Sequence, residues 1–154
     1  VRRDAVVAAL VALGVASAGG SLTVLDDWYF SLVQPSFKPP DWVFGPAWTT
    51  LFCLTAWSSV VAWRAALTDS ARRWVLVGFG LYYLLNIGWS ALYFYLQQPA
   101  LALVEVVLLW LSVGLLVVRL RILSVKASWL MAPTWAWISF AGVLNAATVM
   151  LNPA

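Results

Sequence analysis

Histidine is absent from this chain, cysteine occurs once, and only 10% of the residues are charged. Without an imidazole there is no His-based metal site, no His-ligated haem and no base to sit beside a serine or cysteine nucleophile. Cys53 alone can form neither an internal disulfide nor a cysteine cluster, and its default role is a small apolar packing residue. No Gly-rich phosphate loop and no alignable internal repeat are present, which removes the usual nucleotide signatures. The sequence predicts no metal site and no required cofactor. Charged residues make up about a quarter of an ordinary soluble domain, so this composition belongs to a different solvent.

What the chain has instead is apolar length. Of its 154 residues 64% are hydrophobic, and five runs are long enough to cross a bilayer, which takes about 20 residues per helix. They cover approximately 5–25, 45–67, 74–96, 99–120 and 128–151. Runs this long and continuous are not the short alternating segments of a membrane barrel. The expected fold is an all-α integral membrane protein, a bundle of five transmembrane helices in one domain over 1–154, with lipid around it. The odd number of spans argues against a simple inverted-repeat transporter. The first run, with Arg2 and Arg3 ahead of it and Ala16-Ser17-Ala18 near its end, has the look of a secretory signal, but is read here as a membrane helix. Ala8, Ala12, Ala16 and Gly20 form a small-residue ridge on it, suited to packing within the chain or to a dimer seam.

The basic residues are segregated. Arg2 and Arg3, then Arg64, Arg72 and Arg73, then Arg119, Arg121 and Lys126 all fall on one side of the expected bundle, leaving Lys38 opposite. The positive-inside rule puts the N-terminus in the cytoplasm and the first loop outside. The net charge of +3 is then an average over a polarised molecule and calls for no nucleic-acid partner. Inside the spans the one carboxylate is Glu105, which reads either as a proton or ligand contact or as a structural group that hydrogen-bonds a neighbouring helix or reaches the outer interface.

The first loop is the functional clue. Residues 28–48 read W-Y-F-S-L-V-Q-P-S-F-K-P-P-D-W-V-F-G-P-A-W: flat, stiff, apolar surface with little conformational entropy left to lose, suited to a lid over a flat ligand. Three spans carry polar and aromatic residues at helical spacing: Trp48, Phe52, Thr55 and Ser59; Tyr82, Asn86, Trp89 and Tyr93; Thr134, Trp137, Ala141 and Asn145. Interhelical hydrogen bonding and aromatic packing explain any one face. Three faces beneath one aromatic loop describe an apolar pocket lined by indoles and oriented by a few amides and hydroxyls.

These stretches, W-Y-F-S-L-V-Q-P-S-F-K-P-P-D-W-V-F-G-P-A-W-T-T-L at 28–51, L-L-N-I-G-W-S-A-L-Y-F at 84–94 and P-T-W-A-W-I-S-F-A-G-V-L-N at 133–145, closely resemble the TspO/MBR family of tryptophan-rich sensory proteins and translocator proteins. The likeness runs the length of the chain. It implies a five-helix bundle, commonly a homodimer, that binds tetrapyrroles such as protoporphyrin IX or haem and other flat apolar molecules, acting as a sensor or carrier in porphyrin and stress metabolism. By motif, the family's pocket tryptophans fall on Trp48 and Trp137, with Trp28, Trp42 and Asn86 nearby; Trp89 and Asn145 match patterned positions, and Ala141 a small one. Phe44, Phe52 and Tyr82 complete the candidate binding set. An alternative implied by the family is light- and oxygen-dependent porphyrin breakdown with Trp48 and Trp137 as electron donors. The chain departs from the family at Thr134, where Tyr is usual, and at Gln34, often Lys. The cholesterol-associated Tyr and basic residue are missing from the final A-T-V-M-L-N-P-A, and sterol binding is in doubt for that reason.

Overall fold

A computed structural model describes residues 2–153, and within them every long element is helical. In order these are α1 (Arg3–Leu22), α2 (Asp27–Ser31), a 3-10 turn (Asp41–Val43), α3 (Phe44–Ala65), α4 (Asp69–Ser90) continued by a π-helical stretch (Ala91–Tyr95), α5 (Pro99–Leu123) and α6 (Val125–Leu151). The all-helical expectation stands, but there are six α-helices among the described residues and not five: the extra one, α2, is a five-residue turn inside the first loop. Four helices are both long and apolar enough to cross a membrane, namely α1, α4 with its π extension, α5 and α6. At 22 residues α3 has the length. Its hydropathy is lowered by Trp48, Trp57, Trp63 and a set of hydroxyls, of which Thr49, Thr50 and Ser59 bond back to Gly45, Pro46 and Ala56 carbonyls of the same helix.

Local chemistry explains where the helices depart from the apolar runs. The Thr68 hydroxyl accepts from Ala71 N at 3.1 Å, so α4 begins well before Trp74 and carries Arg72 and Arg73 in its first two turns. Ser124 ends α5 and also caps α6, its Oγ accepting from Ala127 N at 3.3 Å; a single residue turns the chain around. At the other end of α1, the Thr23 hydroxyl takes the Gly19 carbonyl at 2.7 Å and the helix stops short of Leu25. Pro99 opens α5 at a position where its missing N–H costs nothing.

The long helices close a ring: α1 packs on α3, α3 on α6, α6 on α5, α5 on α4, and α4 back on α1. An ion pair fixes which ends lie together, Arg64 Nε donating to Asp4 Oδ2 at 2.6 Å from the last turn of α3 to the first of α1. The ring's outer surface is a belt of exposed Val, Leu and Ile, including Leu10, Leu13, Val77, Leu84, Val104, Leu115 and Val143, as a hydrocarbon surround requires. The small-residue ridge of α1 is used in part inside the chain: Ala12 is buried and Ala16 packs on the core, while Gly20 is exposed. Cys53, expected to pack inside, is exposed on α3, because the buried face of that helix is set by Phe52, Thr55 and Ser58.

Four core hydroxyls, those of Thr55, Ser58, Ser128 and Thr134, are paired between helices, whereas those of Tyr82 and Tyr83 are buried with no partner among the described residues. Ser58 Oγ of α3 donates to the Ala127 carbonyl of α6 at 2.7 Å, Ser128 Oγ of α6 to the Val117 carbonyl of α5 at 2.7 Å, and the Thr55 and Thr134 hydroxyls lie 3.3 Å apart. Glu105 is also unpaired. It does not hydrogen-bond a neighbouring helix among the described residues: both carboxylate oxygens are buried without a hydrogen-bond partner. Oε1 sits near Gly88 of α4, where a Cβ would lie 3.6 Å from it, an ordinary contact.

The α5–α6 contact gives a direct test of packing. A Cβ on Gly114 would meet the Trp135 ring at 3.0 Å, whereas one on Gly142 would rest 3.7 Å from Val106 Cγ1, an ordinary contact. Ala at either site gains the same helix propensity, about 1 kcal/mol. Gly114→Ala is therefore expected to be less stable than Gly142→Ala by about 1–3 kcal/mol, the cost of overpacking against a ring that cannot bend. Unfolding of both variants in one detergent measures the difference; equal stabilities would show that the indole yields freely.

Candidate ligand-binding site

At the end of the ring away from Arg64 the helices splay and enclose a cavity of about 410 Å³, within the range of about 300–1,000 Å³ typical of small-molecule sites. Each inner helix contributes the part of its patterned face nearest the first loop. From α3 come Phe44, Trp48 and Phe52; from α4, Asn86, Trp89 and Ser90, continued by Tyr93 and Phe94; from α6, Trp137, Ala141, Asn145 and Thr148. The far parts of the same faces are core: Thr55, Tyr82 and Thr134 have no exposed surface and do not reach the cavity. One stripe per helix thus does two jobs, tight packing at the basic end and a cavity wall at the other.

Of the residues singled out in the sequence, Phe44, Trp48, Phe52, Asn86, Trp89, Trp137, Ala141 and Asn145 lie on the cavity wall. Tyr82 lies in the core beneath it. Trp28 stands behind the wall, its ring edge on Tyr93 at a centroid distance of 6.3 Å. Trp42 points away, 74% exposed, and helps form an adjoining open groove between α3 and α6 with Pro46 and Pro133, which shares Trp137 with the cavity. The two tryptophans of D-W-V-F-G-P-A-W separate because a 3-10 turn carries Trp42 while the first turns of α3 carry Trp48.

Several wall residues escaped the sequence reading. Phe94 is one residue off the helical stripe of Tyr82, Asn86, Trp89 and Tyr93; the wider π turn brings it and Tyr93 round together, with Leu96 N bonded to Ala91 O at 2.8 Å. The outer end of α1 supplies Ala16, Gly19, Gly20 and Thr23, small residues whose lack of bulk leaves the space. The roof comes from the loop: Tyr29, Gln34, Lys38 and Asp41. Adjacent Pro and aromatic residues signalled a stiff lid, but no periodicity says which of its side chains turn inward.

The wall is aromatic and ordered. Trp48 and Phe52 lie 5.6 Å apart, Phe44 and Trp137 5.9 Å edge to face, and Trp89 and Tyr93 5.2 Å apart. Asn145 is engaged at both ends of its amide, accepting from Trp89 Nε1 at 3.1 Å and donating to the Pro99 carbonyl at 3.0 Å. The Trp137 indole N–H, by contrast, is buried with no acceptor among the described residues. A buried donor left unpaired costs about 1–3 kcal/mol, and an acceptor on a bound molecule would relieve it.

The roof holds a compact polar knot. Asp41 Oδ1 accepts from the Tyr29 hydroxyl at 2.7 Å and also pairs with Lys38 Nζ. The ammonium lies 5.7 Å from the Tyr29 ring centroid and 5.9 Å from that of Phe44, close enough for cation–π attraction. Burial pushes the Asp41 carboxyl up, but the hydrogen bonds from Lys38 and Tyr29 outweigh it and hold the group below its ordinary value. Burial, with Asp41 beside it, raises the Tyr29 hydroxyl, which therefore remains a donor at neutral pH. No group of three or more potential ligands could hold a metal ion among the described residues.

Residues 5–151 match the family model described as the TspO/MBR family. The chain is 40% identical over 148 residues to the Tryptophan-rich protein TspO of Chlorobaculum tepidum, covering 92% of this chain and 90% of that one. It is 38% identical over 144 residues to the protein of the same name from Archaeoglobus fulgidus, with 94% and 92% covered. The human Translocator protein is 33% identical over 123 residues, with 77% and 70% covered.

The roof knot predicts an acid response. Because the Asp41 value is lowered on folding, its contribution to closing the loop is complete above the ordinary carboxylate value and is lost as pH falls through the folded value. Amide exchange in residues 29–43, corrected for its intrinsic pH dependence, should be flat from about pH 8 to about pH 5 and rise below about pH 4. Asp41→Asn should remove that step. A step centred near neutrality would contradict the assignment.

Proposed function

The chain belongs to the TspO/MBR family and is an integral membrane protein, and on that premise we propose that it binds a tetrapyrrole such as protoporphyrin IX or haem in the cavity beneath the first loop, acting as a sensor or carrier. The observation that carries this reading is the shape and chemistry of the wall: rigid rings on three helices, one unpartnered indole N–H, and a single ammonium in the roof. Flat aromatic faces suit a macrocycle, whose burial against Trp48, Phe52 and Trp137 supplies the apolar term. Its ring edge could accept from Trp137 Nε1. A propionate carboxylate would share Lys38 with Asp41, an ion-pair contact strengthened by the apolar surroundings. Haem would be held by shape and these contacts, since the chain has no histidine.

In this reading α3 crosses the membrane with the other four long helices. It is about 33 Å long at 1.5 Å per residue and lies in the ring between α1 and α6. The basic ends then face the cytoplasm, and the cavity opens toward the opposite side. Binding is favoured over hydrolysis or group transfer because Asp41 is the one carboxylate lining the cavity and is already committed to Lys38 and Tyr29.

Porphyrin titration tests the proposal. Trp48→Phe and Trp137→Phe each keep an apolar ring but lose indole area and the N–H, and should weaken affinity by about 0.5–1.5 kcal/mol. The control is Trp110, which lies on α5 outside the cavity, bonded to Ser139 at 2.8 Å. Lys38→Met should also erase any preference for the free diacid over its dimethyl ester. If Trp110→Phe weakens binding as much as the two cavity substitutions, the site is misplaced. Repeating the titration under light in air separates the family's alternative: a stable spectrum means binding, and catalytic bleaching means breakdown.

A further inference from the structure

The first loop is moored firmly at its start and lightly along its middle. Near its start, Tyr29 is buried with its ring 5.8 Å from Phe94, and Asp26 accepts from Gln97 Nε2 at 3.1 Å. Gln97 itself is the one non-glycine residue with positive φ among those described, at 54°. The stretch 32–40 is different. Pro35, Pro39 and Pro40 make it stiff, yet the hydrogen bonds it makes to residues beyond the loop are confined, among the described residues, to one side chain. Asn152, just past the end of α6, accepts from Val33 N at 2.9 Å and donates to Val33 O at 3.0 Å. The remaining amide hydrogen goes to the Thr148 carbonyl at 2.8 Å, which fixes the plane of the amide. The other ties are not hydrogen bonds to residues beyond the loop: Phe37 lies edge-on to Phe140 at 6.5 Å, and Lys38, paired with Asp41 inside the loop, lies 5.9 Å from the Phe44 ring of α3.

We infer that Asn152 is the latch of the lid, a positioning residue that pairs with the Val33 backbone as a neighbouring strand would and holds the stiff segment 32–40 down over the cavity. Asparagine suits the task because one acceptor and two donors are needed at once; aspartate keeps only the acceptor and sets a carboxylate against two carbonyl oxygens. Asn152 does not line the cavity. It therefore stabilises the closed lid equally with the cavity empty or filled, and its loss should change how often the lid opens without changing how tightly a ligand is held.

The latch's purpose rests on the cavity being a ligand site, as proposed above; its geometry does not, so opening is read first without any ligand. In a Cys53→Ser background, Ser90→Cys places a near-isosteric thiol on the cavity wall, and Ser58→Cys places one in the fully buried core near the basic end. Adding Asn152→Ala should speed N-ethylmaleimide labelling at position 90 by about five- to thirty-fold, the effect of losing two ordinary hydrogen bonds, and leave position 58 unchanged. Asn152→Asp should behave like Asn152→Ala. With protoporphyrin IX, association and dissociation rates should rise together and the dissociation constant stay within about twofold. An unchanged rate at position 90, equal acceleration at both positions, or an affinity loss carried by dissociation alone would overturn the latch. If the porphyrin does not bind at all, the labelling result still decides it.

Discussion

The side-chain amide of Asn145 joins three helices at one point. From α6 it accepts the Trp89 indole N–H of α4 and donates to the Pro99 carbonyl at the head of α5. Hydrocarbon around a bundle gives buried polar groups no solvent to fall back on, so such a bond fixes position more firmly than its modest net energy suggests. Here it ties Trp89 to α6, while the π-helical turn beyond packs on α5 and α1, and those are the parts that hold the cavity open on one side. The paired hydroxyls Thr55 and Thr134, and Ser58 and Ser128 on their carbonyls, do the same work toward the basic end. The cavity is the space left where this interhelical pairing stops and aromatic rings begin.

Much of this was legible in the residues. The stripes on α3, α4 and α6 followed from helical spacing alone, because a period of 3.6 holds across a bilayer-length helix. The lower half of each stripe was misjudged for a physical reason: spacing shows which way a side chain points but not where along the axis helices separate. Thus Tyr82 and Trp89 share a face, yet one is core and the other cavity wall. Phe94 was hidden by the π turn, and the roof residues Tyr29, Lys38 and Asp41 by a loop with no period at all. Cys53 was misplaced by composition, which suggests burial for an apolar residue without knowing that lipid is the solvent on the other side, and Trp42, taken from the loop motif, stands on a turn whose direction the motif does not give. Glu105 has no hydrogen-bond partner among the described residues, which its place in an apolar run does not reveal.

The polar groups on the wall divide by whether they are already spent. Asn145 has both ends engaged and acts as structure. Lys38, Asp41 and Tyr29 form a neutral knot that keeps a cation beneath the lid without a net charge in an apolar space. Of the described wall residues, Trp137 alone presents a buried donor with nothing to receive it. A wall built this way has little to offer a polar substrate and much to offer a flat conjugated ring with an acceptor at its edge and a carboxylate at its rim.

The most direct measurement of that claim is a structure of the protein with protoporphyrin IX bound. The account predicts the macrocycle beneath residues 29–41, with Trp48 and Trp137 against it, the Trp137 N–H directed to an acceptor, and a propionate beside Lys38. A macrocycle seated instead in the outer groove between α3 and α6, against Trp42 and Pro133 with the cavity unfilled, would contradict it.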